Sequence, residues 1–230
     1  MILRAFTLTL APENPLHFSG EELRSFFQRL LVEYPHLHNG ATEDFIHRYP
    51  AVQCKQVKGV LMVIGISQGA DLLRELSAGK PAIPAGGSSC RILEKDPAIR
   101  EEEFGIMGRS HSYEFLTPWR ALNQQNAKKF YNLTGKPARD SFIQKILAGH
   151  LATLAKSLDY EGSGKITCEA KVRFRRDTFD GGHEMVFLGT FRTNLQIPAY
   201  FGIGQSVSQG FGTVRELRKI PEQDTPGMQD

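Results

Sequence analysis

Cysteine is scarce in this 230-residue sequence: Cys54, Cys90 and Cys168 are odd in number, widely spaced and form no CxxC pair. That excludes a disulfide framework and offers no seed for a zinc or thiol-redox site. Long apolar runs are missing as well. The opening MILRAFTLTL has neither the apolar core nor the small-residue cleavage site of a signal peptide, and no stretch approaches the length of a membrane span. The expectation is a cytoplasmic protein without membrane contact. Nucleotide motifs are absent too, because Gly135-Lys136 lacks the preceding glycine and the hydroxyl residue of a Walker loop. With no evident cluster of metal ligands, neither a metal nor a cofactor is expected. Net charge is small at +3, but it is unevenly spread. Before Phe104 there are 11 basic and 13 acidic residues, and after it 17 and 12. A basic C-terminal half is the asymmetry expected of a polyanion binder, although many proteins of similar charge bind nothing acidic.

What is present is strongly patterned. Residues 2–10 alternate Ile2, Arg4, Phe6 and Leu8 with Leu3, Ala5, Thr7 and Thr9, the period of a strand. Ser19 and Glu22 make a capping box, and Leu23, Phe26, Phe27, Leu30 and Leu31 follow at helical spacing, which predicts a helix over about 20–33. Residues 51–57 and 60–66 read as a hairpin turning at Lys58-Gly59. A short helix over 71–76 and a strand over 88–93 complete the order β-α-β-β-α-β, that of a ferredoxin-like domain. Residues 105–230 read as a second copy. A strand through His111, Tyr113, Phe115 and Thr117 stops at Pro118, and a helix carries Phe142, Ile143, Ile146, Leu147, Leu151 and Leu154 on one face. A long hairpin of 166–176 and 184–195 turns at Asp180-Gly181-Gly182, and a strand over 213–217 ends the pattern. The expected class is α+β, with two tandem ferredoxin-like (βαββαβ) domains over 1–104 and 105–230.

Three segments carry chemistry. The first is the glycine-rich run from Gly202 through Gly204, Gln205, Ser206, Ser208 and Gly210 to Gly212, whose backbone can approach a phosphate closely and present its N–H groups. Its spacing is not that of a dinucleotide fingerprint, and a long turn before an edge strand is the alternative. The second is Lys171, Arg173 and Arg175, alternating with Val172 and Phe174. They project from one strand face about 7 Å apart, a spacing that suits successive phosphates or, equally, a solvated sheet face. The third is His36-Leu37-His38, behind the predicted first helix. Two imidazoles that titrate near neutrality suit general acid–base work, and two exposed loop histidines are the bland reading. Tyr49 and Lys55 lie on the next segment and are candidates to face the same groove. His150, beside Leu147 and Leu151, reads as packing.

Taken together, these segments resemble one family. The run GIGQSVSQGFG, preceded by Asn194-Leu195-Gln196-Ile197-Pro198, is similar to the C-terminal signature of the CRISPR-associated repeat-RNA endoribonucleases of the RAMP superfamily. Residues 113–123, residues 147–160, His38-Asn39, and residues 49–55 resemble further blocks of one branch, in the same order, across about residues 1–217. The resemblance implies tandem ferredoxin-like domains, binding of CRISPR repeat RNA, and metal-independent cleavage of precursor transcripts by a ribose 2′-hydroxyl, leaving a 2′,3′-cyclic phosphate. It implies that His38 and His36 are the acid–base pair, with Tyr49 and Lys55 beside the phosphate. It also admits other subunits of a CRISPR effector complex, and a second copy of this chain, as partners. The alternative is a non-catalytic RNA-binding RAMP subunit of an interference complex, which has no need of the two histidines.

Overall fold

The structure, a computed structural model, describes residues 1–12, 49–77, 82–85, 88–179 and 182–217. The helix expected over 20–33, with His36 and His38 behind it, lies outside the described residues, as does the Asp180-Gly181 part of the hairpin turn.

The N-terminal sheet is built from β1 (Ile2–Pro12), β2 (Val52–Val57), β3 (Val60–Ile66), β4 (Ala82–Ala85) and β5 (Ser88–Glu103), with α1 (Gln68–Ser77) between β3 and β4. Its order is β2-β3-β1-β5-β4, antiparallel throughout. Without β4, that is the strand order of a ferredoxin-like sheet. The β2–β3 hairpin closes where expected, with Val57 opposite Val60 and the two turn residues at positive φ, Lys58 at 50° and Gly59 at 82°. Two positive φ values define the turn type whose twist matches paired strands. β3 reads VLMVIGI and is buried on both faces after its first residue, as a continuous apolar run demands.

The C-terminal sheet contains β6 (Gly105–Phe115), β7 (Cys168–Phe179), β8 (Gly182–Gln196) and β9 (Val214–Glu216) in the order β7-β8-β6-β9, the ferredoxin-like order again. Helices α2 (Gln124–Asn132) and α3 (Lys136–Ser157) form the first crossover. α3 buries Ile143, Leu147, Leu151, Leu154 and Ala155, which is the stripe its sequence predicts. The second crossover, residues 197–213, has no α-helix: it is the glycine-rich run with one 3-10 turn, Val207–Gln209. No described helix is long and apolar enough to cross a membrane.

Three elements depart from the sequence expectation. β5 runs ten residues past the predicted strand end because β1 pairs with it as far as Glu103. Pro97 sits opposite Leu8, where only β1 flanks β5 among the described residues, and a proline whose missing N–H faces the open side costs no ladder bond. β4 pairs with the start of β5, from a stretch read as loop. α2 buries only Phe130, so it shows no apolar periodicity, although its Asn123 side chain accepts the cap hydrogen bond from the Asn126 N–H at 2.9 Å.

One apolar cluster joins the halves. Leu3, Ala5, Val57, Met62, Ile64 and Ile66 of the first sheet belong to the same core as Tyr113, Phe115, Trp119, Phe187 and Phe191 of the second. Met1 and Phe104 exchange backbone hydrogen bonds beside it. Lys55 pairs with Met62 across β2 and β3, so it shares the sheet face that meets the C-terminal half.

Candidate nucleic-acid interface at the glycine-rich segment

The glycine-rich segment is fastened from both halves of the molecule. The Tyr49 hydroxyl accepts from the Gly202 N–H at 2.9 Å and donates to the Gly202 carbonyl at 2.8 Å. Gln53 Oε1 also accepts from Gly202 N–H, at 3.2 Å, and from Lys55 Nζ at 2.8 Å. Lys55 Nζ reaches Thr213 Oγ1 at 3.3 Å, and Thr213 Oγ1 donates to the Gly210 carbonyl at 2.9 Å. From the C-terminal half, Thr117 Oγ1 donates to the same carbonyl at 2.6 Å and accepts from Thr213 N–H. Arg120 Nη1 donates to Ser206 Oγ at 2.8 Å, its other nitrogen pairs with Glu184, and the guanidinium lies 5.1 Å from the Phe211 ring centre.

These contacts relocate Tyr49 and Lys55. Both were expected beside a phosphate, but Lys55 is 0% exposed and the Tyr49 hydroxyl is spent on Gly202. What they touch is the root of the glycine-rich segment. Burial holds the Tyr49 phenol above its ordinary range, although bonds to Gln53 and Gly202 oppose this. Burial also lowers the Lys55 ammonium to about 7, with Cys54 pulling weakly the other way. Among the described residues no carboxylate bonds the ammonium; its acceptors are an amide and a hydroxyl.

A pH dependence follows from that environment. Between pH 7 and the ordinary lysine value the unfolded chain binds the Lys55 proton and the folded chain has lost it, so this residue's contribution to stability rises with pH across that window. Comparing wild type with Lys55→Met isolates it: the wild type should gain about 2 kcal/mol relative to the variant from pH 7 to 9, read by denaturant melts. A pH-independent difference would mean the amine is not held desolvated.

The glycines face inward, contrary to the reading that their lack of bulk serves a phosphate. A Cβ on Gly202 would meet Val207 Cβ at 2.6 Å, on Gly204 the Trp119 indole nitrogen at 2.5 Å, on Gly210 the Cys54 carbonyl at 2.9 Å, and on Gly212 the Ile203 carbonyl at 1.9 Å. Backbone stands too close for a side chain at Gly210 and Gly212, and the Val207 and Trp119 side chains do so at Gly202 and Gly204. Ser206 and Ser208 flank Val207, whose side chain is buried. Ser206 and Ser208 are half-buried, and the N–H groups of Ser206, Val207 and Ser208 have no acceptor among the described residues. Ser206 is left-handed at φ 55°, ahead of the 3-10 turn, and consecutive N–H groups in such a bend form a concavity that suits an anion.

The basic strand is where the sequence puts it, on one face of β7 at the edge of the sheet. Lys171, Arg173 and Arg175 stand opposite Thr190, Leu188 and Val186 of β8. All three are exposed; Arg175 pairs with Asp177 at 2.8 Å, and Lys171 lies 3.8 Å from Glu169. Glu184, opposite Asp177, is the partner of Arg120, which holds Ser206. The basic row and the glycine-rich segment therefore border one face of the C-terminal sheet. Arg120 and Thr117 escaped the sequence reading, since one Arg and one Thr after a strand carry no periodic signal.

His150 accepts from the Trp119 indole N–H at 3.2 Å, and its burial lowers it to about 4. It is a neutral packing group, as its place on the helix suggests. Among the described residues no group of His, Cys, Asp and Glu is arranged to hold a metal.

Comparison with known proteins covers nearly the whole chain. Residues 1–103 match the model of the Cas6b N-terminal domain and residues 105–217 that of the Cas6b C-terminal domain. An uncharacterized protein of Methanocaldococcus jannaschii is 32% identical over 134 residues, which is 56% of this chain and 87% of that protein. A crystal structure of Cas6b is 28% identical with a TM-score of 0.82, covering 94% of this chain and all of that one. A second, the CRISPR RNA processing endoribonuclease Cas6b, is 26% identical with a TM-score of 0.76 and the same coverage.

Proposed function

Because this chain belongs to the Cas6b family, we propose that it binds CRISPR repeat RNA and cleaves precursor transcripts as a metal-independent endoribonuclease. The observation that carries this reading is the unbroken match of both halves, up to a glycine-rich segment fastened by Tyr49, Gln53, Lys55, Thr117 and Arg120. Such fastening fits a surface whose backbone must be rigid before RNA arrives, since a preorganised donor loses little entropy on binding. The N–H groups of Ser206, Val207 and Ser208 take one phosphate, and the β7 cations take others along the strand.

In the reaction, one imidazole of the His36 and His38 pair removes the 2′-hydroxyl proton as O2′ attacks the adjacent phosphorus. The other protonates the departing 5′-oxygen as the P–O5′ bond breaks. The products are a 2′,3′-cyclic phosphate and a 5′-hydroxyl. Tyr49 and Lys55 serve this chemistry by holding the phosphate-binding backbone in place.

RNA binding by the β7 face is tested through salt. Each phosphate neutralised on a single strand adds about 0.7 to the slope of log affinity against log salt. Replacing Arg173 and Arg175 together by Ala should flatten that slope by about one unit, with the Asp177 partner of Arg175 reducing its share. An unchanged slope would mean the β7 face meets something other than RNA.

A further inference from the structure

On the helix side of the C-terminal sheet, α2, the start of α3 and β7 enclose a cavity of about 370 Å³. Its apolar wall includes Phe130, Val172, Phe174 and Phe187. Phe174 is 46% exposed and meets Phe130 edge to face at 5.5 Å. Its rim is basic: Lys136, Arg139 and Arg173 line it, against the single acid Asp140, which Lys136 pairs at 2.6 Å. α3 begins here with Gly135 as its cap. No side chain caps it, and there is no acid in its first turn.

A helix amino end carries partial positive charge and ordinarily attracts acidic residues. Here it gains cations instead, so the helix end and three cations converge with only Asp140 among the lining residues to balance them. Charge of that sign beside an exposed aromatic ring fits a ligand with both an anion and a flat face. A second cavity shares Lys136, Asp140, Ala170, Val172 and Arg173 with the first and continues round the β7 edge to Glu169, Lys171 and Leu188. The groove thus leads from the helix side to the basic face already described.

We propose that this groove holds one unpaired nucleotide of the bound RNA, its base against Phe174 and its phosphate between Lys136, Arg173 and the amino end of α3. The inference rests on the RNA-binding reading above and adds a subsite to it. Bases displaced from a helix are commonly taken up on aromatic rings and arginine planes, whereas a phosphate alone has no use for Phe174. The position of Phe174 on an edge strand, opposite Phe187, keeps the ring fixed while one side stays open.

The test uses the full chain, fluorescein-labelled repeat RNA from the host's own CRISPR locus, and two variants. Phe174→Ala should weaken binding at least about fivefold, the lower end of what stacking one base contributes. Phe174→Trp should bind within twofold of wild type, and its added indole emission should be quenched by RNA. Unchanged affinity in Phe174→Ala, or added indole emission in Phe174→Trp that bound RNA leaves unquenched, overturns the subsite while leaving RNA binding intact, and the groove would then suit a protein partner. If Phe174→Ala fails to fold, quenching in Phe174→Trp decides alone. A wild-type chain that binds no RNA overturns both this inference and the reading beneath it.

Discussion

His38→Ala should reduce cleavage of repeat RNA by at least about a hundredfold, because a positioned acid or base contributes roughly that much or more to proton transfer. RNA affinity should stay within a few-fold, since the imidazole acts on the transition state more than on the bound ground state. His36→Ala should cost less, though still about tenfold, as the complementary acid or base. Tyr49, eleven residues beyond His38 in sequence, bonds Gly202 twice through its hydroxyl. Single-turnover rates with saturating enzyme, beside equilibrium binding, separate the two effects. Parallel loss of rate and affinity would argue for a binding role instead.

Gly204→Ala should be strongly damaging for so small a substitution. Gly204 has φ 96°, a conformation other residues adopt at a cost, and the added methyl would stand 2.5 Å from the Trp119 indole nitrogen and 2.9 Å from the Arg120 carbonyl. Neither obstacle gives way easily. Trp119 is 0% exposed, stacked on Phe115 at 5.1 Å and bonded to His150, and the second contact is backbone. Strain at such a φ and overpacking each cost about 1–3 kcal/mol, so a loss near 3 kcal/mol is expected. For a chain of this size that is a fall in Tm of roughly 10 °C. RNA binding should weaken only as far as the fold does. A variant that melts normally yet fails to bind would restore the view that Gly204 itself faces a phosphate.

The alternation in β1, the Lys58-Gly59 hairpin and the α3 stripe were all legible because each is a local pattern tied to burial. The basic row on β7 was legible for the same reason, since period two fixes the face. What escaped is non-local. β5 gained its length from pairing with β1, which overrode Asp96-Pro97, and β4 exists only against β5. Lys55 was expected to face a groove beside the phosphate; its contacts come from Gln53 beside it and Thr213 arriving from the other half, which sequence does not bring together. The glycine-rich run stands out in the sequence, but sequence cannot say on which side of the backbone space is short. That side proved to be Trp119, Cys54, Val207 and Ile203.

The central claim is tested most directly by incubating the wild-type chain with the host's own repeat RNA in excess EDTA and analysing the ends produced. The account predicts one cleavage site within the repeat, undiminished by EDTA, with a 2′,3′-cyclic phosphate on the upstream fragment and a 5′-hydroxyl on the downstream one. Cleavage that requires added Mg²⁺, or tight binding of the repeat with no cleavage, would contradict it, the second outcome favouring an RNA-holding subunit of a CRISPR complex.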